Sequence, residues 1–169
     1  AQGTVKFPAS FMMVAAMNPT PRGDVAPGEV GKREMERYLS KLSGPLLDRI
    51  DIHVEAPAVP FKELGSKEPG TGTAELRDRV ERARHHACKR QGSTPNARLR
   101  GKDLDRLVEL GPAARTLLEQ ALTQLGLSAR AYDKVRRTAR TIADIDTSDA
   151  VRPQHVAEAV QYRLLDRRV

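Results

Sequence analysis

The chain has a single cysteine, Cys88, among its 169 residues. That excludes an internal disulfide and a multi-cysteine metal site. Tryptophan is absent and aromatic residues amount to 4%, too few for a protein that holds single strands by stacking bases on aromatic rings. No apolar run approaches the roughly 20 residues that span a bilayer, so no membrane partner is expected. The amino end, AQGTVKFPAS, lacks the charged-then-apolar plan of a secretory signal, and a cytoplasmic location is the expectation. His85 and His86 are adjacent, which sends them to different faces of a helix. His53 and His155 have no partner at ligand spacing. No metal is expected, and Cys88 reads as a packing residue or partly exposed thiol.

What is present suffices for a folded chain. Apolar residues are 39% and charged residues 30%, and a chain of this length buries roughly 70% of its unfolded surface. Basic residues number 29 against 22 acidic, a net charge of +7, which invites a polyanion partner.

The two halves differ in chemistry. Phe11-Met12-Met13-Val14-Ala15-Ala16-Met17 is an unbroken apolar run, as in a strand covered on both faces, and it stops at Asn18-Pro19. Thr20 to Gly31 reads as a loop. Met35, Tyr38, Leu39 and Leu42 recur at helical spacing over Glu34 to Leu42. Ser43-Gly44 breaks that helix and Pro45 opens a short helical turn through Asp48. Ile50, Ile52 and Val54 alternate with polar residues as a second strand. Residues 61–73 form a Gly-rich linker broken by Pro69.

Beyond the linker the pattern is helical. A helix is expected from Ala74 to Gln91, capped by Thr73, with Leu76, Val80, Ala83 and Ala87 inward and Gly92 beyond its end. A short helix follows near 102–109. Pro112 opens the next, closed by Gly126; Ser128 caps another, with Ala131, Tyr132, Val135, Ala139 and Ile142 inward; Pro153 opens the last, with Val156, Ala159, Val160 and Leu164 buried. These apolar stripes need one another, so a small helical bundle is predicted.

Three polar residues stand out by position. Asn18 ends a buried strand, where ligands of open α/β sheets sit. Arg49 lies between a helical turn and a strand. Arg130 lies in the first turn of a helix, where a cation opposes the dipole and often has an anionic partner. A guanidinium suits phosphate oxygens and stabilises charge building on a transferring phosphoryl group. On position alone the ordinary readings are the commoner ones: a turn-forming Asn, an Arg49 paired with Asp48 or Asp51, and a solvated Arg130.

PASFMMVAAMNPTPRGD, YLSKLSGPLLDRIDIHVEAP and LSARAYDKVRRTARTIADIDTSDAVRPQHVAEAVQYRLLDR resemble, in order and spacing, the carboxyl-terminal half of a bacterial AAA+ ATPase of the magnesium-chelatase-related competence protein M (ComM/YifB) family. The likeness runs from about Gly3 to Arg167. It implies a mainly α chain: an incomplete α/β AAA+ core remnant of two or three strands (1–57), a linker (58–73) and an all-α helical lid (74–169). It implies that Asn18 is the sensor-1 asparagine, Arg49 the arginine finger that reaches a neighbour's ATP site, and Arg130 the sensor-2 arginine, acting in its own subunit or in the next. It further implies a ring of the chain's own copies, a hexamer by the family's plan, acting on DNA in recombination and natural transformation.

Two departures qualify the resemblance. Thr20 and Arg22 stand where many relatives carry cysteines of a possible metal knuckle. The pattern G-x-x-x-x-G-K-[ST] and an apolar strand ending in paired acids occur nowhere in the chain. ATP and Mg²⁺ are thus expected in a full-length parent, whose ATPase activity this chain alone would not show, and no cofactor is expected in this fragment. By the same plan the central strand of the core is missing, which leaves two edges without a neighbour. The first 57 residues are then expected to be poorly ordered, repaired by an unusual pairing, or completed by another copy. The alternatives are an ATPase subunit fragment of a metal-inserting chelatase, or a freestanding helical DNA-binding module.

Basic charge concentrates between Ala74 and Lys102, where only Glu75, Asp78 and Glu81 oppose it. Arg77, Arg82, Arg84, Lys89 and Arg90 are the candidate contacts to a DNA backbone; a solvated helix face is the ordinary reading.

Overall fold

Punctuation by Pro, Gly and Ser sets most helix boundaries. The computed structural model describes residues 3–9, 11–18, 29–57, 59 and 70–163, and the chain divides into two compact units, Ala1–Leu42 and Ser43–Val169. Residues 43–57, grouped by sequence with the first half, thus share a unit with the helices.

In the first unit, α1 spans Glu29–Leu39, beginning earlier and ending earlier than the Glu34 to Leu42 expected from periodicity. The apolar run 11–17 forms no helix and joins no ladder among the described residues. Phe11, Met12 and Val14 are 77%, 88% and 83% exposed. The expectation of a covered strand fails here for a physical reason: a strand is stabilised by its neighbours, and none of the described residues pairs with this one. Residues 50–54 likewise form no ladder. The Thr20 to Gly31 loop lies outside the described residues except where its last three positions enter α1.

The second unit begins with α2 (Gly44–Arg49), whose N-cap Ser43 accepts from the Leu46 amide and whose Pro45 stands in the first turn. After the linker come α3 (Thr73–Gln91), a 3₁₀ turn (Asn96–Arg98), α4 (Gly101–Leu107), α5 (Pro112–Leu125), α6 (Ala129–Ile145) and α7 (Pro153–Gln161). Gly126 closes α5 at φ 61°, ψ 31°, a left-handed cap that a Cβ would strain. Ser128 caps α6 by accepting from the Ala131 amide at 3.2 Å.

The core joins Leu99, Leu104, Val108, Leu110, Ala114 and Leu118 to Val135, Ala139, Ile142, Ala143, Val156 and Ala159. An isolated parallel bridge, Leu110 with Val151, ties the start of α5 to the approach to α7. Fully burying one such aliphatic side chain contributes about 1.5–3 kcal/mol, so this interlock holds α4 to α7 together. Leu76 and Val80 depart from expectation, being 47% and 53% exposed. Their stripe meets the bundle only from Ala83 onward, where small side chains allow α3 to approach α6. Leu164 lies outside the described residues. No helix among the described residues is long and apolar enough to cross a membrane.

Candidate functional site

Asn18 belongs to the first unit, exposed at the end of the apolar run. Arg49 and Arg130 belong to the second unit, and Asp48 links the elements that carry them. Alternation around the short α2 decides this: Leu47 is buried at 5% exposure, Asp48 is half-buried and Arg49 is exposed. Arg49 Nη1 donates to the Pro45 carbonyl one turn back, at 2.9 Å. Neither Asp48 nor Asp51, the two carboxylates expected to quiet it, pairs with it.

Both acids turn instead to α6. Asp48 Oδ1 accepts from Ser128 Oγ at 2.9 Å, and Oδ2 lies 3.4 Å from Arg130 Nη1. Arg163 Nη2 stands 3.9 Å from Oδ1. Asp51 pairs with Lys134 Nζ at 3.2 Å. Burial acts to raise the Asp48 carboxyl, but hydrogen bonds from Ser128 and Arg130 prevail and hold it below its ordinary value. Burial pulls the Lys134 ammonium down against the opposing attraction of Asp51. Arg163 Nη1 donates to the Ile50 carbonyl, and the His53 amide donates to the Tyr162 carbonyl at 2.9 Å. These bonds fasten residues 43–53 along the bundle with the Arg49 guanidinium turned outward. Sequence reasoning anticipated an anion beside Arg130, from the misfit of a cation at a helix N-terminus; that the anion is Asp48 is a tertiary fact.

Arg77, Arg82, Arg84 and Lys89 are exposed on α3, and none pairs with a carboxylate among the described residues. Arg77 with Arg84, and Arg82 with Lys89, are each seven residues apart, two turns or about 10 Å along the axis. They form two cationic edges of the outward face. Arg90 differs. Its guanidinium is drawn inward, with Nη1 2.6 Å and Nη2 3.0 Å from the Asp144 carboxylate, and Nη2 also reaches Asn96 Oδ1 at 3.1 Å. The same carboxylate accepts from Arg140 and Asn96 and faces His86 Nδ1 at 3.0 Å. Burial acts to raise Asp144, yet these partners hold it below its ordinary value. Arg90 is therefore engaged within the fold and has no free fork to offer a phosphate. Asp144 was missed by sequence reasoning, although its position four residues after Arg140 on one helix face was a usable signal.

Among the described residues no group of His, Cys, Asp and Glu could hold a metal ion, and Cys88 is exposed. A pocket of about 810 Å³ is lined by Arg90, Arg106, Arg115 and Arg140 against Glu109 and Asp149, and Arg90 and Arg140 are already paired with Asp144.

The chain is 38% identical over 170 residues to "Competence protein ComM" of Haemophilus influenzae. It is 42% identical over 167 residues to "Uncharacterized protein YifB" of Escherichia coli and 40% over 169 residues to the protein of that name from Salmonella typhimurium. These alignments cover 99%, 96% and 96% of this chain and 33% of each relative, so the chain spans about a third of the length of the curated relatives it matches. Residues 1–64 match the family "Magnesium chelatase, subunit ChlI" and residues 70–163 match "Magnesium chelatase, subunit ChlI C-terminal". The two matches meet in the Gly-rich linker, and together with the helical bundle they show that this chain belongs to the magnesium chelatase subunit ChlI family.

Proposed function

We propose that this chain supplies sensor 1, the arginine finger and sensor 2 to a ring-forming, ATP-hydrolysing assembly that acts on DNA. In this reading Asn18 orients the water that attacks the terminal phosphate, with ATP and Mg²⁺ held by parts of a longer chain. Arg49 enters the ATP site of the adjacent copy and offsets the charge that builds on the transferring phosphoryl group. Arg130 contacts phosphate from the lid. One observation carries the reading: among the described residues the exposed Arg49 bonds only to the Pro45 carbonyl of its own turn, while the acids on both sides of it are engaged elsewhere. A guanidinium so placed is free to meet an anion from outside the subunit.

The DNA part of the proposal draws on the exposed Arg77, Arg82, Arg84 and Lys89 and on the competence protein among the relatives. Backbone contacts of this kind are sequence-independent and salt-sensitive. The test is hydrolysis by a chain of the relatives' full length, with Arg49→Ala and Arg130→Ala compared against wild type. A rate lowered by about 10³-fold at Arg49→Ala, the scale of a trans arginine, supports the reading; wild-type rates in both variants refute it.

A further inference from the structure

We propose that Asp48 is a positioning residue that couples the two arginines within one subunit, by holding the neighbour-facing Arg49 helix to the phosphate-facing Arg130. This rests on the reading of Arg49 and Arg130 given above. The helix α2 has six residues, so the direction of Arg49 is set by how α2 is fastened. The fastenings differ in kind. Arg163 and Lys134 are 1% and 11% exposed in their side chains, buried members that stay with the fold. Arg130 is 74% exposed, and exposed pairs contribute little. It is the member that can leave.

A phosphate carries more charge than one carboxylate and matches the guanidinium fork in two-pronged geometry. When a nucleotide phosphate arrives, Arg130 moves to it and Asp48 keeps Ser128 and the buried Arg163. The Ser128 hydroxyl also caps α6, accepting from the Ala131 amide, so the change reaches both the end of the lid helix and the base of the finger. Asp48 further places negative charge at the α6 N-terminus, where the helix dipole favours it and where Arg130 without a counter-charge would be unfavourable. Phosphate binding at Arg130 thereby alters the hold on the arginine that serves the neighbouring copy.

The test uses a chain of the relatives' full length carrying Asp48→Asn, Arg130→Ala or both, with Ser128→Ala as a second way to loosen Asp48. Two readouts are taken: the ATP hydrolysis rate, and hydrogen exchange over residues 43–53 with and without a non-hydrolysable ATP analogue. Asp48→Asn is expected to speed exchange in that segment without nucleotide and to lower the rate about tenfold with little change in KM, and the double variant to be no slower than Arg130→Ala alone. Exchange unchanged by Asp48→Asn and Ser128→Ala, or losses that multiply in the double variant, would overturn the coupling. If Arg49→Ala and Arg130→Ala themselves hydrolyse ATP at the wild-type rate, the reading of those arginines fails instead, and exchange in Asp48→Asn still reports the tie by itself.

Discussion

Arg90 Nη1 meets Asp144 Oδ1 at 2.6 Å, joining the carboxyl end of α3 to α6 in the interior of the helical unit. Arg140 shares the same carboxylate and also donates to the Ser148 and Asp149 carbonyls, so that α3, α6 and the approach to α7 converge on one acid. Removing that acid strands two partly or wholly buried cations. Asp144→Asn should cost about 3–5 kcal/mol of unfolding free energy, read from urea denaturation of the helical unit. Arg90→Ala should lose stability as well. A stability change within about 0.5 kcal/mol, the range of ordinary surface substitutions, would contradict the role given to Asp144.

Acid should undo the same network. In the unfolded chain Asp144 titrates near 3.9, and in the fold its partners hold it lower. The folded state therefore binds its proton less readily than the unfolded state. The stability so contributed is complete above the unfolded value and is lost as pH falls from about 4 through the depressed folded value. Asp48 acts in the same direction. Urea midpoints measured from pH 7 downward should fall in that window, and the fall should be smaller in Asp144→Asn.

Leu118 is fully buried whereas Leu76 and Val80 are about half exposed. Leu118→Ala should cost about 2–5 kcal/mol by leaving a cavity. Leu76→Ser and Val80→Ser should each stay within about 0.5 kcal/mol in this chain. Thermal or urea unfolding separates the two classes, and equal losses would show that the first turns of α3 are packed.

The outward cations of α3 make a prediction about nucleic acid. In fluorescence anisotropy with labelled duplex between about 50 and 200 mM salt, each phosphate-neutralising cation removed should lower the log–log salt slope by about 0.9. Arg77→Ala with Arg84→Ala should flatten the slope equally for unrelated sequences. An unchanged slope would remove this face from any DNA interface.

Legibility followed the range of the interactions concerned. Ser43, Pro112, Gly126, Ser128 and Pro153 act within a turn, and the helices begin or end at them. The stripe on α6 was readable because its period matches the helix, and Val135, Ala139 and Ile142 are buried. The run 11–17 misled, because apolarity implies a cover without saying where that cover comes from. Leu76 and Val80 misled for the same reason. Arg90 has the sequence signature of a surface cation, yet Asp144, 54 positions later, takes it inward. An anion beside Arg130 was foreseeable from the dipole, but only the fold selects Asp48.

Mixing two inactive rings tests whether Arg49 serves the neighbouring copy. One full-length variant carries Arg49→Ala; the other keeps Arg49 but is disabled in nucleotide binding. If the arginine acts in trans, mixed rings contain interfaces where an intact ATP site faces an intact Arg49, and hydrolysis returns on mixing. If hydrolysis stays at the level of the separate variants while mixed assemblies form, Arg49 does not reach its neighbour's ATP.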